Sequence, residues 1–173
     1  VHDLECAVLG TALGQDIYTQ QPAPGGHYHH LDIIHAVRQA GSVGAYVKAR
    51  NIDDGVMAAC VEKDVPYVLA GSIRDDGPLP EVEADVYRAQ DRMRYHTGRA
   101  TTLVCLATQL HTIATGNMTP AYTVADGQIR PVYIYCVDIA EFAVNKLRDR
   151  GSLEVTSIVT NVQDFLVHLD RNL

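Results

Sequence analysis

The stretch Tyr67-Val68-Leu69-Ala70-Gly71-Ser72-Ile73-Arg74-Asp75-Asp76-Gly77-Pro78-Leu79-Pro80 sets a short apolar run against a loop rich in glycine, proline and charge. The run at 67–70, bounded by Pro66 and Gly71, is too short and too β-branched for a helix and reads as a strand. Helical periodicity resumes after Pro80, with Val82, Val86, Ala89 and Met93 on one stripe of 81–95. A strand, a polar loop and then a helix is the repeating unit of open α/β sheets. Such sheets bind ligands outside the carboxyl ends of their strands, so 71–80 is a candidate ligand loop by position as well as by chemistry.

Working downstream, three more apolar runs lie at 102–107, 132–137 and 155–159, each followed by a helical pattern at 110–114, 140–148 and 162–169. This alternation implies a parallel sheet with right-handed crossovers and both faces covered. Upstream the text is helical and loop-like. Leu4, Ala7 and Val8 give a helix over 2–9 with Gly10 as its stop, and 11–26 reads as a loop ending in Pro22, Pro24, Gly25 and Gly26. A helix containing Leu31, Ile34 and Val37 follows the histidine cluster His27, His29 and His30, with Gly41 closing it. A second short helix spans 42–50, and a third, capped by Asp53 or Asp54, buries Val56, Met57, Cys60 and Val61. The expectation is one α/β domain over 1–173, with a helical and loop segment at 1–65 and four βα units at 66–173.

At 173 residues and 47% hydrophobic content the chain can build one ordinary core. A net charge of -7 argues against nucleic acid or an anionic membrane as partner, because either would want clustered Lys and Arg. No apolar stretch approaches the roughly twenty residues that span a bilayer and no leader is visible, so the expected location is cytoplasmic. Cys6, Cys60, Cys105 and Cys136 are widely spaced and form no CxxC pair, and they read as structural thiols.

Within the loop, Arg74 can fork onto a carboxylate while Asp75 or Asp76 holds an ammonium group, a pairing suited to an amino acid; the alternative is a solvated turn. The histidines at 27, 29 and 30 could supply a base, but their spacing matches no metal motif, and no metal is expected. Asp138 ends the run Val132-Tyr133-Ile134-Tyr135-Cys136-Val137. It would either accept ribose hydroxyls or cap the helix that follows. Gly116-Asn117-Met118 and Thr160-Asn161 fall just after element ends. No GxGxxG or Walker-type loop occurs.

His2-Asp3-Leu4-Glu5, Gly10-Thr11-Ala12-Leu13-Gly14, Gly26-His27-Tyr28-His29-His30-Leu31, the segment 68–80, Leu110-His111-Thr112-Ile113-Ala114 with Gly116-Asn117-Met118, and Cys136-Val137-Asp138-Ile139 together resemble the LOR/SDH family, the archaeal and cyanobacterial type of NAD-dependent ornithine cyclodeaminase. The resemblance covers nearly the whole chain. It implies a Rossmann-like, deoxyhypusine-synthase-like domain whose first strands lie upstream of Val1, NAD as cofactor, conversion of L-ornithine to L-proline and ammonia, and self-association. A saccharopine or lysine-oxoglutarate-reductase type of dehydrogenase and a non-catalytic oligomerisation or regulatory remnant are the other readings.

Combining the resemblance with side-chain chemistry, Arg74 and Ser72 are expected to bind substrate. His27, His29, His30, Asp75 and Asp76 are the catalytic candidates. Gly71, Gly116, Asn117, Met118, Asp138, Thr160 and Asn161 are expected to line the nucleotide. Three positions depart from the family pattern: Tyr28 stands where members carry arginine, Ala140-Glu141 where they carry Asn-Pro, and Asn161 where they carry aspartate.

Overall fold

The computed structural model describes residues 1–71, 77–149 and 153–173. They divide into two compact units, Val1–Ala89 and Gln90–Leu173.

The first unit is helical. α1 (His2–Leu9) ends at Gly10, whose φ of 67° gives the left-handed stop that the sequence suggests. A miniature antiparallel pair, β1 (Thr11–Ala12) and β2 (Gln15–Asp16), occupies what reads as plain loop. α2 (Gly26–Ala40) begins earlier than the apolar spacing implies, so the histidine cluster lies in its first turns rather than ahead of it. α3 (Val43–Arg50) is capped by Ser42, whose hydroxyl accepts from the Ala45 N–H at 3.0 Å.

The cap of α4 (Val56–Glu62) departs from expectation. Neither Asp53 nor Asp54 supplies it. The two carboxylate oxygens of Asp3 accept from the Val56 and Met57 N–H groups, each at 2.9 Å. The first N–H groups of a helix need acceptors, and these need not come from the neighbouring sequence. Leu4, Ile33, Val37, Val43, Tyr46, Val47, Ala58 and Leu79 form the core of this unit.

Residues 67–70 are not a strand of the sheet. They make one parallel bridge, Ala70 to Glu83, through a Glu83 N–H donated to Leu69 O at 2.8 Å and a Gly71 N–H donated to Glu83 O at 3.0 Å. The partner is the nearby segment around Glu83, which takes the place of a helix start: Asp85 accepts from Tyr87 and Arg88 N–H groups, and α5 (Val86–Thr97) begins there instead of at Glu81. Three βα units, not four, therefore build the sheet among the described residues.

In the second unit that sheet is parallel, in the order β3 (Thr102–Leu106), β6 (Tyr133–Asp138), β7 (Glu154–Val159). α6 (Gln109–Met118) follows β3, α7 (Glu141–Arg148) follows β6, and α8 (Val162–Asn172) follows β7. Ile134, Cys136, Val144 and Leu147 are its buried centre. Between α6 and β6 the chain adds an antiparallel hairpin, β4 (Tyr122–Ala125) and β5 (Gln128–Pro131). Its turn is Asp126-Gly127, with φ of 52° and 73°, the mirror-image turn that matches strand twist. Among the described residues no helix is long and apolar enough to cross a membrane.

Candidate functional site

In the first unit, a carboxylate that the sequence reading passed over organises the histidines. Glu5 is fully buried. Its Oε1 accepts from Thr11 Oγ1 and from the Gly14 N–H, both at 2.8 Å, and its Oε2 accepts from the Leu13 N–H at 3.1 Å. His30 Nδ1 lies 2.9 Å from the same Oε2. Burial pushes the carboxyl group up, but the bonds from Gly14, His30, Thr11 and Leu13 more than offset it and hold its pKa below the ordinary 4.5.

An ionised carboxylate only accepts, so His30 carries its proton on Nδ1 and donates it to Glu5. The same logic reaches His29. Thr11 spends its single proton on Glu5, and its oxygen therefore accepts from His29 Nδ1, 2.9 Å away. Both rings thus hold Nδ1–H inward, and the neutral form of each leaves its Nε2 lone pair as a base. This is how a buried acid orients an imidazole for proton transfer. His27 stands apart from this relay: it is exposed, and its ring packs on Tyr28 at 4.1 Å between centroids. The His2 ring lies 4.8 Å from that of His30. The helical periodicity of 2–9 hid Glu5; the available signal was an acidic residue on the apolar side of a short helix, next to Leu4.

Backbone packing brings the relay together. A Cβ on Gly14 would sit 2.1 Å from the Gly26 carbonyl oxygen, and one on Gly26 would sit 2.2 Å from the Gly14 carbonyl oxygen. The hairpin that supplies the Gly14 N–H therefore touches the first residue of α2.

In the second unit, the loops after β3, β6 and β7 lie at the carboxyl ends of the parallel strands, where open α/β sheets take their ligands. A small, half-open pocket lies there, lined in part by Cys105, Thr108, Thr112, Cys136 and Asp138. One oxygen of Asp138 accepts from the Ala140 N–H at 2.9 Å, so this residue does serve the turn into α7. Asn161 caps α8 by accepting from the Gln163 N–H at 2.8 Å, and the Thr160 N–H donates to the Asp138 carbonyl at 3.0 Å. Carboxylate, amide and hydroxyl groups converge on this edge, a donor set suited to sugar hydroxyls and amides. Asp138 and Thr160 are brought together at this edge, with Asn161 next in the chain.

Gly116, Asn117 and Met118 are not. They form the last turn of α6 rather than a loop. Because α6 starts at the carboxyl end of β3 and runs back along the sheet, its last turn points to the opposite edge. Gly116 is glycine for packing: a Cβ there would meet Leu147 Cδ1 at 2.5 Å. Gly116→Ala is expected to lower stability by about 1–3 kcal/mol through overpacking, measured by urea denaturation. An unchanged midpoint would mean that Leu147 has room to give.

Gly71 is tied to Glu83 as described above, while Ser72, Arg74, Asp75 and Asp76 lie outside the described residues. No group of three or more potential metal ligands occurs among the described residues.

Comparison with known proteins places these features in a family. Residues 1–169 match the family described as arginine dihydrolase ArgZ-like, C-terminal, Rossmann fold. The chain is 45% identical over 172 residues to an ornithine cyclodeaminase of Methanopyrus kandleri, covering 99% of this chain and 40% of that protein. It is 46% identical over 173 residues to the bifunctional arginine dihydrolase/ornithine cyclodeaminase ArgZ of Synechocystis sp., covering 100% of this chain and 23% of that protein. Among solved structures, a conserved LOR/SDH protein from Methanococcus maripaludis superposes with a TM-score of 0.86 at 42% identity, over 99% of this chain and 48% of the other. The ternary complex of AgrE with ornithine and NAD+ superposes with a TM-score of 0.84 at 43% identity, over 99% and 24%. The chain thus spans well under half the length of the curated relatives. It belongs to the ArgZ-like family of C-terminal Rossmann-fold domains.

Proposed function

We propose that this chain is the NAD-dependent ornithine cyclodeaminase portion of an ArgZ-like enzyme, acting in conversion of L-ornithine to L-proline and ammonia. The observation that carries this reading is its likeness over 99% of its length to AgrE, a protein crystallised with ornithine and NAD+. The two sites described above supply chemistry that such a reaction needs.

NAD, when bound, supplies the hydride acceptor and donor. In the second unit, Asp138 with Thr160 and Asn161 would hold the nucleotide at the carboxyl edge of the sheet. In the first, the Nε2 atoms of His29 and His30 would take up protons, with Glu5 and Thr11 fixing the tautomers from the far side of each ring. Glu5 is a positioning residue, since its oxygens face donors of its own unit. Arg74 would take the substrate carboxylate and Asp75 or Asp76 an ammonium group, roles that rest on the chemistry of the loop sequence.

Calorimetric titration of the chain with NAD, with and without ornithine, tests the reading. Saturable NAD binding is expected, weakened at least tenfold by Asp138→Ala. A folded chain that binds no NAD would overturn the nucleotide assignment. In an enzyme that forms proline, Arg74→Ala is expected to raise the apparent binding constant for ornithine far more than that for NAD. Equal effects on both would sink the role given to Arg74. Proline and ammonia formed without net NADH would separate this reaction from an amino-acid dehydrogenase.

A further inference from the structure

Cys105 on β3 and Cys136 on β6 face each other across a parallel ladder, paired residue to residue in the register. Paired residues of neighbouring strands project to the same face with their backbones about 5 Å apart. A disulfide spans Cα separations of roughly 4.4–6.8 Å. The two thiols also line the same pocket at the carboxyl edge of the sheet, with Thr112 and Asp138 beside them. Their exposure differs: Cys136 is 2% exposed and part of the core, whereas Cys105 is only partly covered.

We propose that Cys105 and Cys136 form a peroxide-oxidised dithiol, with Cys105 as the attacking thiolate and Cys136 as the resolving thiol. The Cys105 sulfur attacks one oxygen of a hydroperoxide. An S–O bond forms, the O–O bond breaks, and the departing oxygen leaves as water or an alcohol after taking up a proton. Cys105 is then a sulfenic acid. The Cys136 sulfur attacks it, the S–S bond forms, and the hydroxyl leaves as water with the Cys136 proton. Two thiols are oxidised by two electrons, which reduce one peroxide. A dithiol reductant returns both electrons by exchange and restores the pair.

The environment favours this division of labour. A hydrogen bond from Cys136, with help from Thr112, brings the Cys105 pKa down to about 7 from its ordinary 9.0 despite burial, which favours the thiolate. The same hydrogen bond and burial push Cys136 up and keep it protonated until it is needed. A bridge between them would be opened by exchange with a dithiol reductant. It would also draw together two walls of the pocket beside Asp138. Nothing in this chemistry depends on whether a nucleotide binds there.

The test treats the reduced chain with a slight excess of hydrogen peroxide, blocks remaining thiols with an alkylating agent, and maps the peptides by mass spectrometry. One crosslinked pair joining residues 105 and 136 is expected, reversed by dithiothreitol, while Cys6 and Cys60 are alkylated. In Cys136→Ser the crosslink is lost, and dimedone is expected to trap a sulfenic acid on Cys105. Cys136→Ala serves if the serine variant does not fold. Two free, alkylated thiols at 105 and 136 after peroxide, a bridge to Cys6 or Cys60 in their place, or a Cys105 sulfinic acid without a bridge would each overturn the proposal.

Discussion

Replacing Glu5 with alanine is expected to cost the chain about 3–5 kcal/mol and to shift its urea midpoint accordingly, because it strips a fully buried carboxylate from a cluster of donors. Glu5→Gln tests the reason. All four partners of the carboxylate donate to it: Thr11, Gly14 and Leu13 directly, and His30 by virtue of its proton. A glutamine of the same size turns one acceptor oxygen into a donor, which then faces two other donors. The glutamine variant is therefore also expected to lose stability, by about 1–3 kcal/mol. A glutamine variant as stable as the parent would show that charge and acceptor capacity do not matter at this position.

The same residue sets an acid limb. Since the folded carboxyl titrates below its ordinary value of 4.5, the folded state binds fewer protons than the unfolded one as the pH falls past that value. The Glu5 contribution is accordingly full above pH 4.5 and is lost as the pH drops through the lower folded value. Comparing urea midpoints of parent and Glu5→Gln along a pH series reads this out. The gap between them is expected to narrow on the acid side, and a gap that widens there would contradict the sign.

Gly14→Ala is expected to be as damaging as the loss of Glu5, about 3–5 kcal/mol, combining overpacking with the strain of a left-handed φ of 76°, and Gly26→Ala is expected to cost about 1–3 kcal/mol through overpacking alone. Each new Cβ would meet a backbone carbonyl oxygen at 2.1 or 2.2 Å, and a backbone cannot swing aside as a side chain can. Gly25→Ala is the control. Its φ of 69° is also left-handed, yet a Cβ there meets nothing within 4 Å, so only the conformational cost of about 1 kcal/mol remains. If the three variants unfold together, the close approach of the two backbones carries no energy. Gly26→Ala is further expected to displace the Gly14 N–H from Glu5, a change that the exchange rate of that amide with solvent would report.

Much of the fold was legible because local rules and the fold agree. The helix over 2–9, its Gly10 stop, the short helix over 42–50 and the three strands downstream follow from periodicity, capping and β-branched runs, and the structure places them within a residue or two. The hairpin over 122–131 was not read from the sequence: its strands are exposed and lack an apolar face to mark them, although Asp126-Gly127 is the signature of such a turn. The run at 67–70 misled for the opposite reason. An apolar run reports burial more than strand pairing, and this one packs Leu69 against the helical core with a single bridge to Glu83.

The amino-acid sequence by itself determined the parallel α/β half and the family likeness. These depend on spacings of a few residues, which propensity and hydrophobic period express directly. Tertiary structure alone decided that Asp3 caps a helix more than fifty residues away, that Glu5 orients His30 directly and His29 through Thr11, that Gly116 packs against Leu147, and that Cys105 meets Cys136. Each is a contact between residues far apart along the chain. Burial and strand register create such contacts when the chain closes on itself, and no local pattern records which distant atom will satisfy a given donor, acceptor or empty volume.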